Sequence, residues 1–152
     1  MKKISWDKHA LLLAWAATRR SEDPYMKVGA CALGHSNEVL GVAYNGLAAG
    51  KVVNDEFWKD RDKRRPFMIH AEANLLARIS HGQAKLLAIT LQPCTHCAQA
   101  IAAYGIKKVV YSMRYDFDKG GLQVLDFYGI EHKCISKDEM HEEIKNLVYE
   151  IY

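Results

Sequence analysis

Apolar residues recur at helical spacing over residues 5–20, where Trp6, Ala10, Leu13, Ala14 and Ala17 fall on one face. The pattern stops at "SEDPYM" (21–26), which Pro24 breaks. Two short apolar runs, "KVGACAL" (27–33) and "EVLGVAY" (38–44), flank "GHSN" and predict a strand hairpin. "NGLAAG" (45–50) then opens a connection that reaches about Ile69. That is long for a compact domain, and connections of this length are usually functional or disordered.

Beyond it the periodicity alternates. "AEANLLARIS" (71–80) predicts a helix ending near Gly82, and "KLLAITLQ" (85–92) a strand. "CTHCAQAIAAYG" (94–105) predicts a helix opened by Pro93 and closed by Gly105. A strand "KKVVYSM" (107–113), a helix "GGLQVLDFYG" (120–129), a short strand "IEHKCI" (130–135) and a charged amphipathic helix (137–152) complete the chain. The order α-β-β-α-β-α-β-α-β-α predicts an α/β domain, with helices on both faces of a largely parallel sheet. No repeat, low-complexity segment or linker divides residues 1–152, so a single domain is expected.

Composition narrows the partners. A formal net charge of +3 and a pI near 8.6 are too weakly basic to indicate a polynucleotide, but they tolerate a phosphorylated small molecule. The N-terminal apolar stretch is interrupted by Asp7, Lys8 and His9, so it reads as an amphipathic helix rather than a secretory leader. No apolar run has the length of a membrane span. Two of the four cysteines form Cys94-x-x-Cys97, and a well-cored chain of 152 residues needs no disulfides. A reducing, cytoplasmic location is expected, the host cytoplasm if the source is viral.

The chemistry concentrates in "MIHAEAN" (68–74) and "QPCTHCAQ" (92–99). On spacing alone, the Cys94/Cys97 pair serves structural zinc and redox chemistry equally well. His70 changes the balance, because it too precedes a helix. Helices that follow neighbouring strands begin at one edge of a sheet, so His70, Cys94 and Cys97 are expected to converge. A structural zinc wants a fourth protein ligand. His96 shares the cysteines' own turn, while Cys31 and Cys134 lie in strands and read as small hydrophobes. Three ligands with an open position is the catalytic pattern. Glu72, in the same helical turn as His70, is placed to move protons. His70-Ala71-Glu72 with Pro93-Cys94-Thr95-His96-Cys97 matches the H-x-E…P-C-x-x-C signature of zinc nucleobase deaminases.

The likeness extends further. Over roughly residues 5–135 the chain resembles the deoxycytidylate (dCMP) deaminases, through "SEDPYMKVGA", "AYNGLAAG", "HAEANLL", "PCTHCAQAIAAYGIKKVVY" and "YDFDKGGLQVLDFYGIE". The resemblance implies a three-layer α/β/α cytidine-deaminase-like fold with a central mixed five-stranded sheet. It implies hydrolytic deamination of dCMP to dUMP and ammonia, feeding thymidylate synthesis, with one zinc ion on His70, Cys94 and Cys97 and Glu72 as proton shuttle. It places the base near Ala71, the deoxyribose on Asn45, and the 5′-phosphate on Ser21, Lys27 and Tyr115. It further implies a homohexamer activated by dCTP and inhibited by dTTP. The triphosphate, with Mg²⁺, would bind around Gly50, Lys51, Asn54, Arg61 and Arg65. The chain departs from the family's YNGxPxG pattern at Ala48, and no cysteine or histidine lies between Gly46 and Ile69 for a second zinc. Alternatives are a bifunctional dCMP/dCTP deaminase, a tRNA or polynucleotide deaminase, and a zinc-stabilised binding module with no need of Glu72.

Overall fold

The structure is a computed structural model that describes residues 3–149. Helix α1 (Trp6–Ala17) starts at Ser5, whose hydroxyl accepts from Lys8 N. Strands β1 (Gly29–Gly34) and β2 (Val39–Tyr44) form the expected hairpin. Short helices α2 (Asp55–Lys59) and α3 (Arg61–Arg64) occupy the long connection, followed by a 3-10 turn at Arg65–Phe67. Then come α4 (Ala71–Leu76), β3 (Ala84–Leu91), α5 (Thr95–Ala103), β4 (Lys108–Met113), α6 (Gly120–Phe127), β5 (Glu131–Cys134) and α7 (Lys137–Tyr149).

The five strands make one sheet in the order β2-β1-β3-β4-β5. β1 runs antiparallel to β2 and β3, whereas β3, β4 and β5 are parallel. The sheet is therefore mixed, as the fold class requires.

Central strands read as unbroken apolar runs because both sides of the sheet are covered. Alternate residues sort to opposite faces. Ala30, Ala32, Leu87, Ile89, Val109 and Tyr111 join the core under α4, α5 and α6. Cys31, Leu33, Leu86, Ala88 and Val110 join the core that holds Leu11 and Ala14 of α1 and Met140 of α7. Three layers result. The small residues of β1 let α1 close in: a Cβ on Gly29 would stand 1.8 Å from the Ala14 carbonyl oxygen.

The structure corrects four sequence expectations. α1 buries Ala10, Leu11, Ala14 and Ala17, while Trp6 lies at the surface, edge-on to His9. The connection 45–70 is not structureless, because side chains of Asn54 and Asp60 cap α2 and α3 by accepting from Phe57 N and Lys63 N. α4 ends at Leu76, four residues short of the expected end, and Gly82 then turns the chain at φ 76°. Cys134 is exposed rather than buried, because β5 is the sheet's edge. The last three residues of the predicted C-terminal helix lie outside the described residues.

Candidate active site

Two helix starts build the centre. His70 is the N-cap residue of α4, reached through an antiparallel bridge in which Gly46 and Ile69 exchange hydrogen bonds of 3.0 and 2.8 Å. Cys94 is the N-cap residue of α5, its sulfur accepting from Cys97 N at 3.4 Å. His70 Nδ1 then lies 3.6 Å from Cys94 Sγ and 3.3 Å from Cys97 Sγ. The three ligand atoms all fall within 4.8 Å of one another.

This triangle fits zinc. Zn–S bonds of about 2.3 Å and Zn–N bonds of about 2.0–2.1 Å at tetrahedral angles put sulfur and nitrogen about 3.5 Å apart. Protonation agrees. Hydrogen bonding from the Cys97 thiol, opposed by burial and aided by His70, brings Cys94 down to about 4. The same hydrogen bond pushes the Cys97 thiol up. A divalent cation held by the three atoms would stabilise both sulfurs as thiolates. His96 points to solvent, and burial pushes Cys31 up to about 12, an inert thiol. Cys134 is directed to the Ser112 carbonyl at 3.5 Å. Among the described residues none of these three joins the cluster, so three protein ligands leave a position open.

Glu72 adjoins the cluster and is only 3 % exposed. Burial pushes its carboxyl up to about 7, against the opposing pull of its backbone hydrogen bond and of His70. A carboxyl near neutrality can both take and return a proton. Glu72, His70 and Cys94 open onto a cavity of about 340 Å³.

α6 holds the cysteine turn in place. The Asp118 carboxylate accepts from Thr95 Oγ1 at 2.6 Å, from Thr95 N at 2.9 Å and from Gly120 N at 3.0 Å. The Thr95 hydroxyl, first of these donors, holds the Asp118 carboxyl below the usual carboxylate range. Gly121 lets α6 touch the backbone ahead of Cys94: a Cβ there would stand 1.9 Å from Pro93 O. Gly121→Ala is therefore expected to displace the turn between the two cysteines. It should destabilise the protein by about 1–3 kcal/mol, as overpacking does, and weaken zinc retention. Thermal melts and zinc content after dialysis check both.

The other sequence-derived residues fall into two groups. Asn45, Ala71 and Tyr115 line the cavity, and so do Arg61 and Arg65. Ser21 and Lys27 do not. The Ser21 hydroxyl donates to Asn45 Oδ1 at 2.7 Å, and the Lys27 ammonium donates to Ser21 O. Asn45 Oδ1 also accepts from Val28 N at 2.9 Å, while its Nδ2 donates to Met26 O at 2.8 Å. Ser21 thus helps to orient Asn45, and Lys27 braces Ser21. Gly50 and Lys51 lie outside the cavity's lining, as does Asn54, the cap of α2.

Among the residues on the cavity wall that sequence reasoning missed are Asp23 and Arg64. They form an ion pair at 2.9 Å with side chains 8 % and 4 % exposed. Nothing in "RDKRRP" marks one arginine as buried while its neighbours are solvated. The partner, forty-one residues earlier, is visible only in three dimensions.

A mixed α/β/α sandwich with a His–Cys–Cys metal cluster at two helix N-termini, beside a buried carboxylate, defines the class of protein. Residues 4–113 match the family described as the cytidine and deoxycytidylate deaminase zinc-binding region, and the chain belongs to that family. Deoxycytidylate deaminase of Homo sapiens is 30% identical over 115 residues, 71% of this chain. The chain spans 65% of that relative's length. Deoxycytidylate deaminase of Mycobacterium phage D29 is 33% identical over 128 residues, covering 73% of this chain and 97% of the relative. Among solved structures, dCMP deaminase from the cyanophage S-TIM5, in complex with dCMP and dUMP, superposes with a TM-score of 0.74 at 26% identity. That match covers 89% of this chain and all of the other. Among the described residues, no helix is long and apolar enough to cross a membrane.

Proposed function

We propose that this chain is a zinc-dependent dCMP deaminase, one catalytic domain over residues 1–152, converting dCMP and water to dUMP and ammonia. The observation that carries the reading is Glu72: a carboxylate buried beside a three-ligand metal cluster and opening onto the same cavity. A zinc-stabilised binding module has no use for so unfavourably buried an acid.

His70, Cys94 and Cys97 would hold the zinc. When bound, the metal supplies the Lewis acidity that makes water nucleophilic near neutral pH. Glu72 does the proton work. It takes a proton from the attacking water and delivers it to N3 of the pyrimidine. It then passes a second to the amino nitrogen at C4, so that a C–O bond forms, the C–N bond breaks and ammonia leaves. Ala71 bounds the base. Asn45 has one amide hydrogen left uncommitted by its contacts to Met26, Val28 and Ser21, and it faces the deoxyribose.

The finer reading is a soluble cytoplasmic homohexamer supplying dUMP for thymidylate synthesis, activated by dCTP and inhibited by dTTP with Mg²⁺. What supports regulation is that Arg61 and Arg65 lie on the cavity while Lys51 and Asn54 belong to the same insert. A triphosphate held by that insert has a direct route to the substrate.

A steady-state assay tests both halves, using dCMP, dCTP, CMP, deoxycytidine and a cytosine oligonucleotide, each with and without dCTP and dTTP. Turnover is expected to be best on dCMP, with sigmoidal dependence steepened by dTTP and relieved by dCTP. Preference for the oligonucleotide would overturn the substrate. Turnover of dCTP as fast as dCMP would make the enzyme bifunctional. Hyperbolic kinetics indifferent to both triphosphates would remove the regulation alone.

A further inference from the structure

Residues 114–119 join β4 to α6 outside any helix or strand, and Arg114, Tyr115, Asp116 and Phe117 of that segment line the cavity. Their rings are held loosely. Tyr115 and Phe117 lie 6.0 Å apart, and the Arg61 guanidinium sits 4.6 Å from the exposed Phe117 ring. Among the described residues, every side-chain hydrogen bond that the segment makes comes from one residue, Asp118.

Asp118 reaches across to the metal turn. Thr95 directly follows the ligand Cys94 and opens α5, while Gly120 opens α6. The N–H groups at a helix start have no partner within the helix. The Asp118 carboxylate accepts one from each helix, and the Thr95 hydroxyl as well. Packing at this point leaves no slack. A Cβ on Gly120 would stand 2.3 Å from Thr95 Oγ1, and one on Gly121 would stand 1.9 Å from Pro93 O. Residues 93–95 and 118–121 therefore fit together as one unit, and Cys94 belongs to it. The metal ligands constrain this turn from within the site, and Asp118 constrains it from outside. Two constraints on one short stretch of backbone support each other, because whatever orders the turn lowers the cost of the other.

We infer that Asp118 is a positioning residue that, acting through Thr95, couples metal binding at His70, Cys94 and Cys97 to the placement of cavity wall 114–117. Metal binding fixes the turn, the turn fixes Asp118, and Asp118 sets the wall that follows β4. By reciprocity the same tether raises metal affinity, as partners of the ligand-bearing backbone do. The inference goes beyond the deaminase reading and holds whichever nucleotide the cavity takes.

Zinc affinity by competition with a chromophoric chelator, and amide hydrogen exchange with and without zinc, test the coupling. Asp118→Asn keeps the size and one acceptor but turns an NH2 group on a helix-start N–H. Asp118→Ala removes the tether, and Thr95→Ser keeps both Thr95 donors as a control. In wild-type protein zinc should slow exchange about tenfold or more at 114–119 as well as at 94–98, and leave α1 unchanged. Both Asp118 variants should bind zinc about 10- to 100-fold more weakly, the range for loss of such a partner. Saturating zinc should still protect 94–98 in them but no longer protect 114–119, and Thr95→Ser should match wild type. Wild-type exchange at 114–119 that ignores zinc would overturn the inference. So would zinc affinity of Asp118→Ala within about threefold of wild type, well short of that range; if this variant does not fold, Asp118→Asn is held to the same criterion. If removing zinc loosens α1 too, zinc-saturated wild type and Asp118→Asn are compared directly. Faster exchange at 114–119 with α1 unchanged then upholds the coupling. Equal exchange at 114–119, or faster exchange in both segments, makes Asp118 merely structural and overturns it.

Discussion

Glu72→Gln is expected to leave zinc bound and to lower dCMP turnover by about 10²- to 10⁴-fold, the range for loss of a positioned general acid–base. The amide fills the same space and suits a buried site better than a charge does, so stability should hold or rise slightly. The reason lies in how Glu72 is placed. Residue 70 caps α4, and residue 72 projects from its first turn into the cavity. There burial has already pushed the carboxyl up to about 7. On the proposed reading that group serves the reaction rather than the fold, and removing its proton-carrying ability should leave everything else in place. Zinc content by atomic absorption, a melt and a dCMP progress curve measure the three quantities. A variant without zinc would make Glu72 a ligand, and near-normal turnover would make it a bystander.

Replacing a cysteine should do the opposite, coupling chemistry to stability. Cys94→Ala removes both a metal ligand and the sulfur that accepts from Cys97 N at the start of α5. Cys97→Ala removes a ligand alone. Both should lose zinc and fall to background activity. Metal binding free energy is partly folding free energy, so both should melt lower, by about 4–8 °C for a loss of about 2 kcal/mol in a chain of this size. Cys94→Ala should melt lower than Cys97→Ala by the lost cap. Chelation of the unmutated protein should reproduce the Cys97→Ala result. Cys31→Ser should keep full zinc, because Cys31 faces α1 on the other side of the sheet. A zinc deficit there would mean a fourth ligand and a structural site.

The sequence by itself determined the fold class and the metal cluster, and for local reasons. Period-two burial on strands covered on both faces leaves unbroken apolar runs, legible in "KLLAITLQ" and "KKVVYSM". Cys94, Cys97 and Glu72 are set by one helical turn each, so spacing along the chain becomes spacing in space. Only the tertiary structure decided what depends on distant contacts. The insert 51–67 shows little long-range periodicity, and its helices are fixed by single caps and by docking. Its burial pattern took Arg64 inside and left Arg61 and Arg65 at the rim, though the three are indistinguishable as letters. The resemblance places the phosphate on Ser21 and Lys27, and only the fold shows what these two residues touch. In the fold the Ser21 hydroxyl donates to Asn45 and one Lys27 N–H to the Ser21 carbonyl, because the hairpin brings residue 45 against the loop at 21–28. A buried ion pair between positions 23 and 64 has no signature along the chain: its energy exists only once two separate segments have already excluded water around it.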